Sequence, residues 1–166
     1  METIAVYWEE RIKTYGFSVV RGLSLVRLQF SDEHSGRVGR GLCNLEESRT
    51  PVLLAVGHLD GDRMGLDLLV ETGGLDQLAD GLREILSSAG EVPAGISSQV
   101  GMITFQGPHY GDRYGIADAA FGALADRGIS IMTAGCSGSS VYIVVHESCL
   151  EEAHEILNQT FASQSS

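Results

Sequence analysis

The sequence predicts an α+β fold of two ferredoxin-like βαββαβ units, with antiparallel sheets and the helices of each unit on one sheet face. Three observations predict it. The first is an internal repeat. Leu75 to Leu86 lies over Leu150 to Phe161 at an offset of 75, and Ser35-Gly36 lies over Tyr114-Gly115 at 79. Val26-Arg27-Leu28 lies over Ile103-Thr104-Phe105 at 77. Offsets that drift by a few residues are what short loop insertions leave in a duplicated unit. The second is that each copy reads strand, helix, strand, strand, helix. The third is that each copy has one spare strand-forming segment within reach, Ala94–Ser98 for the first and Tyr15–Arg21 for the second. Because the second of these lies ahead of the first copy, the two units are expected to interlock.

The elements follow in order. Ile4, Ala5, Trp8 and Ile12 have helical spacing and predict an N-terminal helix, followed by the extra strand Tyr15–Arg21. In the first copy Leu23–Phe30 is a strand and Arg37–Glu47 a short helix weakened by glycine, which Pro51 ends. Val52–Gly57 and Met64–Glu71 form a hairpin around Asp60-Gly61-Asp62, an Asp-Gly pair that accepts positive φ. Thr72–Leu86 is the second helix. In the second copy Val100–Phe105 is a strand of apolar and β-branched residues. Ile116, Ala120 and Leu124 form the stripe of a helix over Tyr114–Arg127, which Gly128 stops. Ile129–Ala134 and Val141–Val145 flank a hairpin turn at Cys136–Ser139, and Ser148 with Glu151 has capping-box spacing for the last helix. Leu150, Ala153, Leu157 and Phe161 are its buried stripe. The expected organisation is thus residues 1–21 as N-terminal helix and strand, 22–97 and 98–162 as the two units, and a frayed tail from Ala162, with 163–166 beyond the second unit.

Composition narrows function by exclusion. Eleven Lys and Arg stand against 22 Asp and Glu, a net charge of −11, and the cations are scattered singly. Phosphate backbones need clustered cations, so a nucleic-acid partner is not expected. No apolar run has the ~20 residues of a membrane span, and the N-terminus lacks a signal pattern. Cys43, Cys136 and Cys149 make no C-x-x-C pair and read as reduced, small buried hydrophobes in a cytoplasmic protein. His34, His58, His109, His146 and His154 are too dispersed for a metal motif, with His154 beside a helix stripe as a packing residue. Asp60-x-Asp62-x-Met64-Gly65 partly imitates a calcium loop, but apolar residues occupy ligand positions and a hairpin turn is the better reading. No glycine-rich phosphate loop with a following lysine and no nucleophile–base pair is present. Neither a cofactor nor catalysis is expected.

Gly107-Pro108-His109 through Tyr114-Gly115-Ile116-Ala117, then Ala123 to Ile131, resembles an ACT domain, and more narrowly the second ACT domain in the regulatory region of aspartokinases. Asp32-Glu33-His34-Ser35-Gly36-Arg37-Val38 resembles the corresponding segment of a first ACT domain more loosely. Ser35 and Tyr114 stand where that family has proline, and Val52–His58 lacks its Asn and Gln. The resemblance implies two ACT units paired side by side, an N-terminal strand completing the second unit, and an amino-acid effector bound at an interface between units. The expected protein is a homodimer without a kinase domain that senses such an effector; the alternative is a ligand-free interaction module or detached regulatory subunit acting on an enzyme or transcriptional regulator partner.

The residues themselves offer a ligand site at the two loops that lead into helix N-termini, where unpaired N–H groups and the helix dipole favour a carboxylate. In the first copy the candidates are Asp32, Ser35, Gly36, Arg37 and Val38; in the second they are His109, Gly111, Asp112, Arg113, Tyr114, Gly115 and Ile116. Asp32 and Asp112 are suited to an α-amino group and Arg113 to a carboxylate. Equally, the acids are ordinary helix-start residues and the glycines serve tight turns.

Overall fold

A computed structural model of the chain describes residues 11–45, 51–88, 93–108, 110–111 and 114–163. The helix expected around Ile4 to Trp8 lies outside them. Along the chain the elements are β1 (Lys13–Thr14), β2 (Gly16–Ser31), α1 (Ser35–Leu45), β3 (Val52–Asp60), β4 (Arg63–Glu71) and α2 (Leu75–Ser88). They continue as β5 (Pro93–Gln106), α3 (Ile116–Ala125), β6 (Ile131–Ser137), β7 (Ser140–His146), α4 (Leu150–Thr160) and β8 (Ala162–Ser163). Six strands form one antiparallel ladder in the order β3-β4-β2-β5-β7-β6.

The interlocking is carried by two long strands. β2 has 16 residues and β5 has 14, against a usual strand of about 5–6. Gly16–Val20 pairs with Met102–Gln106, whereas Leu23–Leu28 pairs with Pro93–Val100. Both spare segments foreseen in the sequence are therefore continuous extensions of neighbouring strands. Where the strands pass from one half to the other the register slips between Val20 and Leu23. Gly22 on β2 has φ +69° and Gln99 on β5 has φ +59°. Glycine takes that left-handed backbone without a Cβ clash, while glutamine does so against its preference.

The duplication extends to irregularities. Register slips between Val52 and Leu54 on β3 and between Ile131 and Thr133 on β6. Leu53 and Met132 are thus extra residues of β-bulges at matching places in the two copies, at the same offset of 79 that joins Val52 to Ile131. The hairpin turns use Gly61 at φ +64° and Gly138 at φ +57°, so the Asp60–Asp62 segment is a turn between strands.

Period-two alternation divides the strand residues between two faces. On the helix side of the first half, Val26, Leu28, Phe30, Leu68 and Val70 pack with Val38, Leu78 and Leu82. On the helix side of the second half, Ile103, Phe105, Ile143 and Val145 pack with Ile116, Ala120, Leu124, Ala153, Leu157 and Phe161. The other face has a core of strand residues only: Leu23, Leu25, Leu69, Val100, Met102 and Val144, with Leu54 and Met132 packed against it. β3 and β6 are the two ends of the ladder, yet a Cβ on Gly135 would lie 3.5 Å from Val56 Cγ2. Arg27 Nη2 also donates to the Met132 carbonyl at 3.0 Å. The sheet doubles over, its helix-free face turned inward and its helices outside.

Several local expectations are corrected. α1 begins at Ser35, ahead of Arg37, because a 3-10 turn at Asp32–His34 already sets helical backbone. Ser148 does not cap α4: it sits in a 3-10 turn, and His146 Nδ1 accepts from the Ser148 N–H at 3.2 Å. The chain is not frayed from Ala162, since β8 pairs with β1 and Ala162 N–H donates to the Ile12 carbonyl at 3.0 Å. Cys43 and Cys136 are exposed and Cys149 half-buried, so the thiols are not core residues. His154 packs edge-on against Phe17, at 5.7 Å between ring centres.

Candidate functional site

The second copy's strand-to-helix loop forms a cleft with the β6–β7 hairpin. Pairing of Gln106 with Ser140 sets the hairpin turn at the same end of the sheet as the loop after β5. The depression has a volume of about 240 Å³ and is lined by Tyr110, Tyr114, Gly115, Ile116, Cys136 and Ser139 among others. Tyr110 gives it a fixed floor. Its buried ring lies edge-on to Phe105, with centres 6.1 Å apart. Gly107 makes room for that ring, because a Cβ there would penetrate both the Tyr110 ring and the Lys13 carbonyl oxygen.

α3 opens into this cleft. Gly115 stands at its N-cap with φ +86° and brings no side-chain cap. Its carbonyl accepts from Ala119 N–H at 2.9 Å, so the helix hydrogen-bond ladder begins there. The first-turn N–H groups and the positive end of the helix dipole therefore face a recess whose lining includes Tyr114, Ser139 and Ser140. That combination suits a carboxylate. Tyr114 is 97% exposed and stands at the rim of the cleft.

The sequence-predicted residues divide. Tyr114, Gly115 and Ile116 come together around the cleft, and Gly111 is exposed on the same loop. His109, Asp112 and Arg113 lie outside the described residues. Ile116 is 6% exposed and belongs to the core, so it offers the cleft mainly backbone. In the first copy, Val38 is buried beneath α1 and is no ligand-lining residue: its place on the helix turns it onto the sheet. Ser35 Oγ donates to the Asp32 carbonyl at 2.5 Å, and Ser31 Oγ lies 3.0 Å from His34 Nδ1. These bonds tie together the side chains of the 3-10 turn ahead of α1. Gly36 and Arg37 are exposed on α1, in the other half of the molecule from Gly115.

Reading Cys136–Ser139 only as a turn missed its contribution to the cleft. The signal was available once the strand order was known, since a ferredoxin-like order brings the hairpin beside the end of the first strand. Among the described residues no group of three or more His, Cys, Asp or Glu is placed to hold a metal. No helix among them is long and apolar enough to cross a membrane.

No family model matches the sequence, and no curated protein matches it. Solved structures do match the fold. The regulatory subunit of aspartate kinase from Thermus thermophilus, in ligand-free form, superposes with TM-score 0.78 at 15% identity, covering 89% of this chain and 98% of that one. A structure of aspartokinase alpha and beta subunits gives 0.75 at 20% identity, covering 89% and 97%. E. coli aspartokinase III in complex with lysine and aspartate gives 0.65 at 17% identity, covering 93% of this chain and 35% of that one. At these identities the likeness establishes a shared fold with these aspartokinase regulatory subunits and domains.

Proposed function

We propose that this chain is a non-catalytic regulatory protein that binds an amino acid or similar small carboxylate in the cleft at the start of α3. The observation that carries the proposal is the N-terminus of α3, left without a side-chain cap by Gly115 and opening into a recess of about 240 Å³. Backbone N–H groups would hold the carboxylate, while Tyr114 and the hairpin hydroxyls enclose the rest of the molecule. The shared fold with isolated regulatory subunits supports action without a catalytic domain, and the aspartokinase complex with lysine and aspartate supports amino acids as the ligand class. A homodimer belongs to the same proposal, with Tyr114 at the rim where a paired unit would close the site. So do a cytoplasmic location and a partner enzyme or regulator as the receiver of the signal. Ligand that binds one packing of paired units more tightly than another shifts their populations, and the partner reads the difference.

A thermal-shift screen against the twenty amino acids tests this. At least one raises the melting temperature at millimolar concentration, because a ligand of the folded state stabilises it. Ser139→Trp, which fills the cleft from an exposed position, abolishes that shift while leaving the unliganded melting temperature nearly unchanged. If no amino acid shifts the wild-type chain, the sensor reading fails. Co-purification of an enzyme in the same circumstances would then favour the ligand-free subunit.

A further inference from the structure

The folded-over sheet has a second recess on its helix-free face, of about 380 Å³, bordered by Arg27, Gln29, His58, Asp67, Met132 and Thr133. It lies between the two halves, because Arg27 and Asp67 come from β2 and β4 while Met132 and Thr133 come from β6. Arg27 and Asp67 are directly opposite each other in the ladder. The Asp67 side chain is only 7% exposed, and its Oδ1 is buried with no hydrogen bond. Arg27 Nε is 3.7 Å away, near enough for charge attraction but too far for a hydrogen bond. The Arg27 side chain remains 41% exposed, with Nη2 donating to the Met132 carbonyl. A guanidinium has five N–H donors, so one such bond leaves donors to offer the recess.

The duplication supplies an internal control. At the offsets of 77 and 75 that relate the copies, Arg27 corresponds to Thr104 and Asp67 to Tyr142, and these two are likewise opposite each other in the ladder. The fold is therefore built at this position in the second half with no charge at all. An ion pair whose arginine is 41% exposed contributes little net stability, and a buried carboxylate oxygen lacking a donor is costly. The pair in the first half is thus not a requirement of the architecture. Gly65 fits the same pattern, since any Cβ there would collide with the His58 ring that lies over the strand at the edge of the recess.

We propose that this inter-sheet recess is a second ligand site, for a small zwitterion that carries a cationic N–H donor beside a carboxylate. The donor would pair with the Asp67 carboxylate that borders the recess, and the ligand's carboxylate with the guanidinium of Arg27. A simple anion would meet the Asp67 charge, and a simple cation would meet Arg27. Only a molecule with both charges matches the pair. Because Arg27 also holds the Met132 carbonyl of the other half, occupancy would tighten the contact between the two halves of the sheet.

The test is amide NMR of the full chain, titrated with the twenty amino acids, and with acetate and ethylamine as single-charge probes. At least one amino acid moves the amide signals of Arg27, Asp67, Met132 and Thr133 at millimolar concentration, while acetate and ethylamine do not. Arg27→Gln weakens that response by about tenfold or more, the loss expected when a charge-assisted hydrogen bond is removed. The double variant Arg27→Thr with Asp67→Tyr copies the neutral pairing of the second half, keeps the folded spectrum and abolishes the response. The proposal is overturned if no amino acid moves these signals, if acetate or ethylamine alone moves them equally, or if the double variant still responds. Signals of Gly115 to Ala117 report the α3 cleft separately, so either site can fail without the other.

Discussion

At the residue scale, two positions show how backbone conformation and contact decide what a side chain is allowed to be. Gly107 is required by close approach, since the Tyr110 ring and the Lys13 carbonyl occupy the space a Cβ would need. Gly107→Ala is expected to destabilise the chain by about 1–3 kcal/mol, the usual cost of overpacking, in urea unfolding. It also displaces Tyr110 from the floor of the α3 cleft. Gln99 is the opposite case, a side chain at φ +59° where glycine would be at ease. Gln99→Gly is expected to raise stability by about 1 kcal/mol, since it removes left-handed strain from an L-residue. An unchanged or lowered urea midpoint would contradict that. Of the residues that line the α3 cleft, Tyr114 and Gly115 could be placed from the sequence because a glycine before a helical stripe marks a helix start. Tyr110 was not. Its burial depends on Gly107 and on Lys13, which is distant in the chain.

At the element scale, the N-terminal part of β2 is the strand that completes the second half. Phe17 packs against Phe105 in a tilted arrangement at 5.2 Å and edge-on against Phe161 at 6.3 Å and His154 at 5.7 Å. Phe17→Ala is expected to cost about 3 kcal/mol, with the greatest loss of amide-exchange protection in β5 and α4 of the second half. A loss confined to β2 itself would argue against this coupling. The helices and hairpins were readable because their signals are local: apolar stripes at helical spacing, Asp60-Gly61, and Gly128 after Leu124. Helix starts were read less well. Three of the four described helices open through a 3-10 turn, and the turn ahead of α4 is capped by the His146 ring, which accepts from the Ser148 N–H. That choice is made by side-chain geometry, to which residue spacing is blind. The paired bulges at Leu53 and Met132 were also beyond reach, since a bulge is a property of two strands in register.

At the scale of the whole molecule, β2 and β5 run through both halves, so neither half can lose its sheet without disturbing the other. Urea unfolding of the full chain is therefore expected to be one transition, with coincident midpoints for secondary and aromatic tertiary signals. Two separated transitions would mean that the halves are independent. The sequence alone determined the duplication, the order of elements in each copy and the need for strands to be exchanged. These follow from periodicity, turn residues and a count of strands, all of which are written along the chain. Only the tertiary structure decided that the sheet doubles over, that the β6–β7 hairpin walls the α3 cleft, and that Arg27 and Asp67 share a recess with Met132. Arg27 and Met132 are 105 residues apart, and their contact depends on the accumulated twist and curvature of six strands. No local pattern encodes that sum; it is set when three apolar cores are buried together.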